Sequence, residues 1–151
     1  MSFTLRPGEV SDLDAVFRLS QKAFAENWSL PSLHAALASG YDLLLCESDE
    51  GLAAYLLSLS VLDEVQIMQI AVAEPFRRQG LAQRMTLHLI TEKSHMAEMS
   101  LEVRESNRAA RQLYAGLGFV ECGCRKNYYS PDESGRCENA ILMTKQLHED
   151  L

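Results

Sequence analysis

The chain has 151 residues, a length that matches one domain large enough to bury a sizeable core. With 47% hydrophobic and 23% charged residues, its composition is that of a globular protein and excludes the disordered and fibrous classes. The net charge of -7 argues against general nucleic-acid binding, and it favours a cationic substrate only weakly because many proteins are acidic for solubility.

Membrane and metal classes are also disfavoured. No apolar run approaches the roughly 20 residues that a membrane-spanning helix needs, and the amino-terminal segment lacks a basic stretch followed by an apolar one. We therefore expect a cytoplasmic protein that neither spans nor contacts a membrane. The cysteines lack Cys-x-x-Cys spacing and the histidines show no ligand spacing, so we expect no metal. Reduced, partly buried thiols are expected at Cys46, Cys122, Cys124 and Cys137.

The first predicted elements are one strand and two helices. Residues 3–6 alternate like a strand, and Ser11 with Asp14 three positions later predicts the start of a helix. A second, short helix is expected after Pro31 and ends at Gly40. Three strand-like runs follow, separated by polar turns. The runs are residues 42–47, 52–61 and 65–72, and the turns are residues 49–51 and 63–64.

The second half of the chain alternates helices and strands. Its elements are a helix after Gly80, a strand in which Met99, Leu101 and Val103 alternate with polar residues, a helix from about Asn107 to residues 116–118, and strands at residues 119–125 and 140–146. Residues 130–136 are polar and turn-rich, which predicts a loop between the last two strands. The order predicts a single α/β domain over residues 1–151, with a mixed sheet and helices on both faces.

The junction between a strand and the helix after Gly80 is the most informative segment. It consists of Arg77, Arg78, Gln79, Gly80, Leu81, Ala82 and Gln83. A helix start offers unpaired N–H groups and a positive dipole end, Gly80 allows close approach, and two arginines add positive charge. These features predict a pyrophosphate-binding loop. On this segment alone, a turn before a helix with a solvated basic start explains the pattern equally well, while the order of a P-loop is absent.

The junction resembles the Arg/Gln-x-x-Gly-x-Gly/Ala acetyl-coenzyme A motif of the GNAT superfamily of N-acetyltransferases, with Arg77, Gly80 and Ala82 at its defining positions. A second GNAT signature, Asn-x-x-Ala-x-x-x-Tyr with a downstream Gly-Phe, is matched by Asn107 and Tyr114. The resemblance implies the GNAT fold, a mixed, mostly antiparallel twisted sheet of about six or seven strands. It also implies acetyl-CoA as the acyl donor. The implied cofactor-binding residues are Ile70, Ala71, Val72, Arg77, Arg78, Gln79, Gly80, Leu81, Ala82, Gln83 and Asn107.

Similarity extends over nearly the whole chain to one GNAT branch, the bacterial enzymes that acetylate the N-terminal alanine of a small-subunit ribosomal protein. It is carried by Trp28-Ser29 and by residues 61–64, 70–72, 78–82, 101–104 and 125–129. The chain departs from this pattern at Arg77, where Gln is common, and at Ala82, where Gly is common. Neither departure should block phosphate binding. Substitutions at residues 122–124 and 130–137 leave the peptide preference open.

The resemblance implies a role for each matched side chain. Glu102 would act as general base through water, Tyr114 would protonate the departing thiolate, and the N–H groups of residues 70–72 would hold the thioester carbonyl. The implied substrate-binding residues are Trp28, Asp63, Glu64, Tyr128 and Tyr129. Each has a structural alternative. Glu102 would be a solvent-facing strand carboxylate, Asn107 a helix cap, Tyr114 a core aromatic, Tyr128 and Tyr129 strand aromatics, and residues 63–64 a turn.

The expected function is N-terminal acetylation of a ribosomal protein by a monomeric enzyme that does not contact nucleic acid. One alternative is a GNAT enzyme that acetylates a small amine or a lysine side chain. The other is a non-catalytic acyl-CoA-binding regulator. Such a regulator would be expected to lack an acid and base pair, so the presence of both Glu102 and Tyr114 counts against it.

Overall fold

The computed structural model describes residues 2–24, 28–129 and 138–147. Four helices and seven strands occur in these ranges, in the order that the sequence predicts. The strands are β1 (Thr4–Pro7), β2 (Asp42–Ser48), β3 (Gly51–Val61), β4 (Glu64–Val72), β5 (Glu98–Arg104), β6 (Val120–Arg125) and β7 (Ala140–Gln146). The helices are α1 (Leu13–Ala23), α2 (Leu30–Ala38), α3 (Leu81–Glu92) and α4 (Arg108–Gly116). The predicted loop at residues 130–136, like Cys137, lies outside the described residues.

The strands hydrogen-bond in the order β1-β2-β3-β4-β5-β7-β6. Strands β4 and β5 are parallel, whereas β1 with β2, β2 with β3, β5 with β7, and β6 with β7 are antiparallel. The prediction of a mixed, mostly antiparallel sheet is therefore confirmed.

The chain divides into two compact units. The amino-terminal unit contains Met1–Ser60 and Met68–Leu89, and the carboxy-terminal unit contains Val61–Ile67 and Ile90–Leu151. Strand β4 thus contributes residues to both. The single domain over residues 1–151 stays a prediction.

In the amino-terminal unit, helix α1 begins at Leu13 with Asp12 as its N-cap residue, one position after the predicted Ser11. The carboxylate of Asp12 accepts the backbone N–H of Glu9 at 2.7 Å, and Arg6 donates to the same carboxylate at 2.7 and 3.0 Å. The prediction that Ser11 and Asp14 open the helix was therefore wrong. The carboxylate of Asp12 instead accepts the N–H of Glu9, and a 3-10 turn at Val10–Asp12 precedes α1. For α2 the expectation holds, with Ser29 as N-cap and a proline in the first turn.

The core of this unit lies between the helices and strands β2 and β3. Its buried members are Leu13, Val16, Leu19, Leu33, Leu43, Leu45, Tyr55, Leu57 and Ala71. The hydroxyl of Tyr55 donates to Gln69 Oε1 at 2.5 Å, which satisfies two buried polar groups at once. Burial raises the pKa of Tyr55, so its phenol remains a donor at neutral pH.

In the carboxy-terminal unit, β5 alternates as predicted, with Met99, Leu101 and Val103 buried. Strand β6 is different, since every one of its residues is exposed. Glu121 and Gly123 stand opposite the consecutive residues Met143 and Leu142, so the residue between them is a β-bulge. The prediction of partly buried thiols was therefore wrong for two cysteines: Cys46 is buried, but Cys122 and Cys124 are exposed.

Candidate active site

The predicted anion-binding loop follows β4 in the amino-terminal unit. Arg78 and Gly80 both adopt left-handed backbone conformations, with φ of 65° and 73°. A Cβ built on Gly80 would meet nothing within 4 Å, so the backbone conformation, and not crowding by the protein, calls for glycine here. A non-glycine residue with positive φ carries strain, which is frequent at ligand-binding loops.

The loop leads directly into α3. The first helical bond runs from the N–H of Arg84 to the carbonyl of Gly80 at 2.9 Å, so the N–H groups of Leu81, Ala82 and Gln83 are those of the first turn, which have no intrahelical acceptor. Arg77 is exposed, and its Nε donates to the carbonyl of Val72 at 3.2 Å. This bond ties the loop to the end of β4. Two predicted groups of cofactor-binding residues, 70–72 and 77–83, are thereby brought together.

Residues 70–72 lie at the carboxyl end of β4. The register of β4 with β5 runs from Glu64 opposite Glu98 to Ile67 opposite Leu101, and Ile70 to Val72 lie beyond its last pair. In a strand, alternate N–H groups point to opposite neighbours, so those of residues 70–72 that point toward β5 lie beyond this ladder and can face a ligand carbonyl.

Glu102 lies in the carboxy-terminal unit, on the face of β5 opposite the buried Leu101 and Val103. Its Oε1 is 3.1 Å from the Nε of Arg125, and its side chain is 22% exposed. Glu102 stands opposite Leu142 and Arg125 stands opposite Ala140, so the arginine reaches across β7 on one face of the sheet. Glu102 is therefore part of an ion pair, which the sequence did not predict.

The two candidate tyrosines continue this surface. The Cζ of Arg125 is 5.3 Å from the ring centroid of Tyr128, and the Cζ of Arg104 is 4.1 Å from that of Tyr129. The two rings meet edge to face at 5.1 Å. Each arginine lies within cation–π distance of a ring. Tyr128 is therefore linked to Glu102 through Arg125, and Tyr129 is linked to it through Tyr128.

Glu138 and Asn139 join this surface to the segment between β5 and α4. Arg104 donates to Glu138 at 3.1 Å, and Ser106 donates to the same carboxylate through its backbone N–H at 2.8 Å and through its hydroxyl. The hydrogen bonds from Ser106, followed by that from Arg104, lower the pKa of Glu138. Asn139 accepts the N–H of Asn127 at 2.9 Å and donates to Glu105 at 2.8 Å.

Helix α4 carries the second signature. The Oδ1 of Asn107 accepts the N–H of Ala110 at 3.1 Å, so this residue caps the helix. Tyr114 is 3% exposed and meets Phe119 edge to face at 5.7 Å. Burial raises the pKa of Tyr114 to about 12, so the phenol keeps its proton at neutral pH.

The remaining candidate substrate residues are distributed over both units. Trp28, in the amino-terminal unit, packs against the core and meets Tyr41 edge to face at 5.7 Å. Asp63 is exposed in the turn before β4, and its carbonyl accepts the N–H of Ala97 at 2.7 Å. Glu64 is also exposed, but it begins β4, so its assignment to the turn was wrong because the strand starts one residue earlier.

Comparison with known proteins decides the family. Residues 13–119 match the acetyltransferase (GNAT) family. The chain is 39% identical over 142 residues to the [ribosomal protein bS18]-alanine N-acetyltransferase of Escherichia coli (strain K12), with 93% of this chain and 95% of the relative covered. The chain belongs to the GNAT family of acetyltransferases.

Two solved GNAT structures share the fold of this chain. The crystal structure of the ribosomal-protein-S18-alanine N-acetyltransferase from Escherichia coli superimposes with a TM-score of 0.92 at 36% identity, covering 99% of this chain and 97% of the other. A GNAT superfamily phosphinothricin acetyltransferase from Sinorhizobium meliloti, solved in complex with AcCoA, shares the fold with a TM-score of 0.83 at 18% identity, covering 99% and 90% of the two chains. The predicted fold class and the prediction of an acyltransferase are confirmed, and acetyl-CoA is the acyl donor that GNAT enzymes use.

The sequence predictions for this GNAT acetyltransferase missed four residues that the structure places around Glu102, Tyr128 and Tyr129. These are Arg104, Arg125, Glu138 and Asn139. Arg104 and Arg125 lie within the segments that carry the branch resemblance, so the signal was present. Their partners could not be assigned, because the contacts cross from one strand to another and depend on register.

Within residues 2–24, 28–129 and 138–147, no three His, Cys, Asp or Glu side chains are grouped as metal ligands would be. In the same ranges, no helix combines the length and apolar character needed to cross a membrane. The absence of a metal stays a prediction.

Proposed function

We propose that this acetyltransferase transfers an acetyl group from acetyl-CoA to the N-terminal α-amino group of a protein, and that its substrate is the N-terminal alanine of ribosomal protein bS18. The observation that carries the proposal is the 39% identity, over 93% of this chain, to an enzyme named for that reaction. We further propose that the enzyme works as a monomer in the cytoplasm, where ribosomal proteins are made.

The anion-binding loop fits the phosphates of acetyl-CoA. The N–H groups of Leu81, Ala82 and Gln83 open α3, Gly80 leaves open space beside the backbone, and Arg77 and Arg78 add two positive charges. Gln79 lies exposed between the two left-handed residues of the loop. Asn107 caps α4 through its Oδ1, and its predicted contact with acetyl-CoA stays a prediction. Acetyl-CoA, when bound, supplies an acetyl carbonyl joined to a sulfur leaving group.

The chain offers one group to remove a proton and one to supply it. An α-amino group has a pKa of about 7.7–8.0, so at neutral pH a large share of it must still lose a proton to become a nucleophile. Glu102 would take that proton through a water, and Tyr114 would donate its own to the sulfur as the acetyl group forms its bond to nitrogen. The raised pKa of Tyr114, about 12, supports this division because the phenol arrives protonated. Residues 70–72 would donate N–H groups to the acetyl oxygen.

The peptide would bind beside the two tyrosines. Tyr128 is about half exposed and Tyr129 is partly buried, so the pair offers aromatic surface beside Arg125, the ion-pair partner of Glu102. The exposed carboxylates of Asp63 and Glu64 would attract basic residues of a substrate. Trp28 packs against the core of its own unit, and its predicted contact with substrate stays a prediction.

A substrate panel tests the proposal. Purified enzyme would be given acetyl-CoA and Ala-initiated peptides, lysine peptides with blocked amino termini, or polyamines, and thiol release would be measured. The proposal expects the Ala-initiated peptide to have the highest kcat/KM. Preference for lysine peptides or polyamines would overturn the α-amine assignment, and acetyl-CoA binding without release on any acceptor would indicate a regulator. Mass spectrometry of bS18, with and without the enzyme, would then test the protein substrate by the mass of one acetyl group.

A further inference from the structure

The guanidinium of Arg125 lies against the carboxylate of Glu102, the candidate general base. We propose that Arg125 is a positioning residue, which fixes the orientation of the Glu102 carboxylate for proton transfer. This inference rests on the proposed function, because it assumes that Glu102 removes the proton of the attacking amine. Arg125 itself is assigned no contact with acetyl-CoA.

The contact geometry supports orientation. Arg125 Nε lies 3.1 Å from Glu102 Oε1, which joins the tip of β6 to the middle of β5. On β7, the buried, small residue Ala140 lies directly opposite Arg125 and Leu142 lies opposite Glu102, so the two charged side chains meet diagonally across this strand. With Oε1 held by the guanidinium, the plane of the carboxylate is restricted, and Oε2 is the oxygen assigned to the proton.

Arg125 is itself held in place. Although its side chain is 61% exposed, its Cζ lies 5.3 Å from the centroid of Tyr128, which packs edge to face on Tyr129. Arg104 lies over Tyr129 and bonds to Glu138. Both arginines are thus placed between an aromatic ring and a carboxylate. This arrangement reduces the number of positions that a long, exposed side chain would otherwise visit.

Because Arg125 is largely exposed, its ion pair with Glu102 is expected to contribute little to the stability of the fold. An ion pair with a largely exposed arginine contributes little to stability, because water screens it and two long side chains lose freedom. The placement of a catalytic group has a much larger effect on rate, since a displacement of about 1 Å can lower turnover on the order of 10²-fold. Removal of Arg125 should therefore affect kcat far more than it affects the melting temperature.

The experiment compares Arg125→Gln with Arg125→Lys in the thiol-release assay with an Ala-initiated peptide. Arg125→Gln is expected to lower kcat about tenfold, with peptide KM and acetyl-CoA Kd changed less than about twofold. Arg125→Lys should recover part of the loss, because it restores a cation near the carboxylate but not the planar group beside Tyr128. If only peptide KM rises, Arg125 binds substrate and the positioning role is overturned.

A double-mutant cycle separates positioning from an independent effect. If Arg125 acts through Glu102, adding Arg125→Gln to Glu102→Gln should lower the residual kcat no further. A further tenfold loss in that background would overturn the inference. The two proposals fail separately: wild-type kcat in Glu102→Gln would refute the base itself, whereas wild-type kcat in Arg125→Gln with an impaired Glu102→Gln would refute only the positioning role.

Lys126 provides the matched control. It is exposed and adjacent to Arg125, so Lys126→Gln removes the same charge from the same end of β6. Its kcat is expected to equal that of the wild type. An equal loss in both variants would show a general charge effect and overturn the specific role of Arg125. Thermal unfolding of each variant would confirm that the changes in kcat occur in folded protein.

Discussion

In the amino-terminal unit, the candidate anion-binding loop is made mainly of backbone, with the left-handed Arg78 and Gly80 leading into the first N–H groups of α3. In the carboxy-terminal unit, the Glu102 surface is made of charged and aromatic side chains from strands β5 and β6 and the segments after them. The first depends on conformation within one short segment, and the second depends on contacts between distant segments. Substitutions should therefore affect them differently: backbone changes should weaken acetyl-CoA binding, and side-chain changes should slow transfer.

The largest effect is expected from Glu102→Gln. The amide cannot accept a proton, so kcat should fall on the order of 10²-fold or more while acetyl-CoA Kd is retained. Steady-state thiol release and calorimetry would measure the two quantities. Glu98→Gln is the matched control, since Glu98 lies on the same face of β5 and bonds to Gln146. Equal kcat values for the two variants would remove Glu102 from the base role.

Tyr114→Phe tests the proposed proton donor, the phenol of Tyr114, which is buried in the carboxy-terminal unit. The ring and its contact with Phe119 are kept, so the fold and acetyl-CoA affinity should remain, and kcat should fall about 10²-fold. The pKa of about 12 predicts that wild-type kcat shows no loss from ionisation of Tyr114 up to pH 10. A pH–rate series for both proteins would check this, and a variant as fast as the wild type would contradict the acid assignment.

Gly80→Ala tests the candidate anion-binding loop, which is made mainly of backbone. Alanine at a left-handed position costs about 1–2 kcal/mol, and relaxation of the loop to relieve that strain should weaken acetyl-CoA binding roughly 5- to 30-fold. Gly51→Ala is a close control, because Gly51 also has a positive φ and nothing within 4 Å of a built Cβ, but it begins β3 after a tight turn. Both variants should lose stability, and only Gly80→Ala should lose affinity. Undiminished affinity by calorimetry would argue against the loop as the phosphate site.

The smallest effect is expected from Glu138→Gln, which weakens the hydrogen bonds that the Glu138 carboxylate accepts in the carboxy-terminal unit. The lowered pKa of Glu138 means that its ionised form stabilises the fold above the ordinary glutamate pKa, and that this contribution is lost as pH falls through the folded-state value. The difference in melting temperature between wild type and variant should therefore be present at pH 7 and shrink below about pH 4.5. A difference that is unchanged at acid pH would show that ionisation of Glu138 is not involved.

The same contrast explains how far the site could be predicted from sequence. The loop at residues 77–83 was recognisable because its glycine, its basic residues and the helix start lie next to each other. The helix cap at Asn107 and the alternation of β5 are equally local, and both were predicted. The left-handed backbone conformation of Arg78 was not predicted, since that conformation is usual for glycine and rare for arginine.

The Glu102 surface depended on information that the sequence does not display. The bulge at Cys122 inserts an extra residue into β6, so simple alternation assigns the wrong face to residues beyond it. The approach of Arg125 to Glu102 follows from that shift, whereas Cys124 is exposed because every residue of β6 is exposed. The predicted start of α1 was wrong for a similar reason. Arg6 on β1 binds the carboxylate of Asp12 and holds it at the helix start, a contact between separate segments.

The bonds made by Glu138 and Asn139 have a consequence for engineering. The N–H of Tyr129 donates to the carbonyl of Glu138 at 3.1 Å, while Asn139 is fixed to Asn127 and Glu105, so both ends of residues 130–137 are anchored to each other and to the segment before α4. A segment joined at such a closed base can be exchanged for one of another length at modest entropic expense, about 0.6 kcal/mol for each doubling.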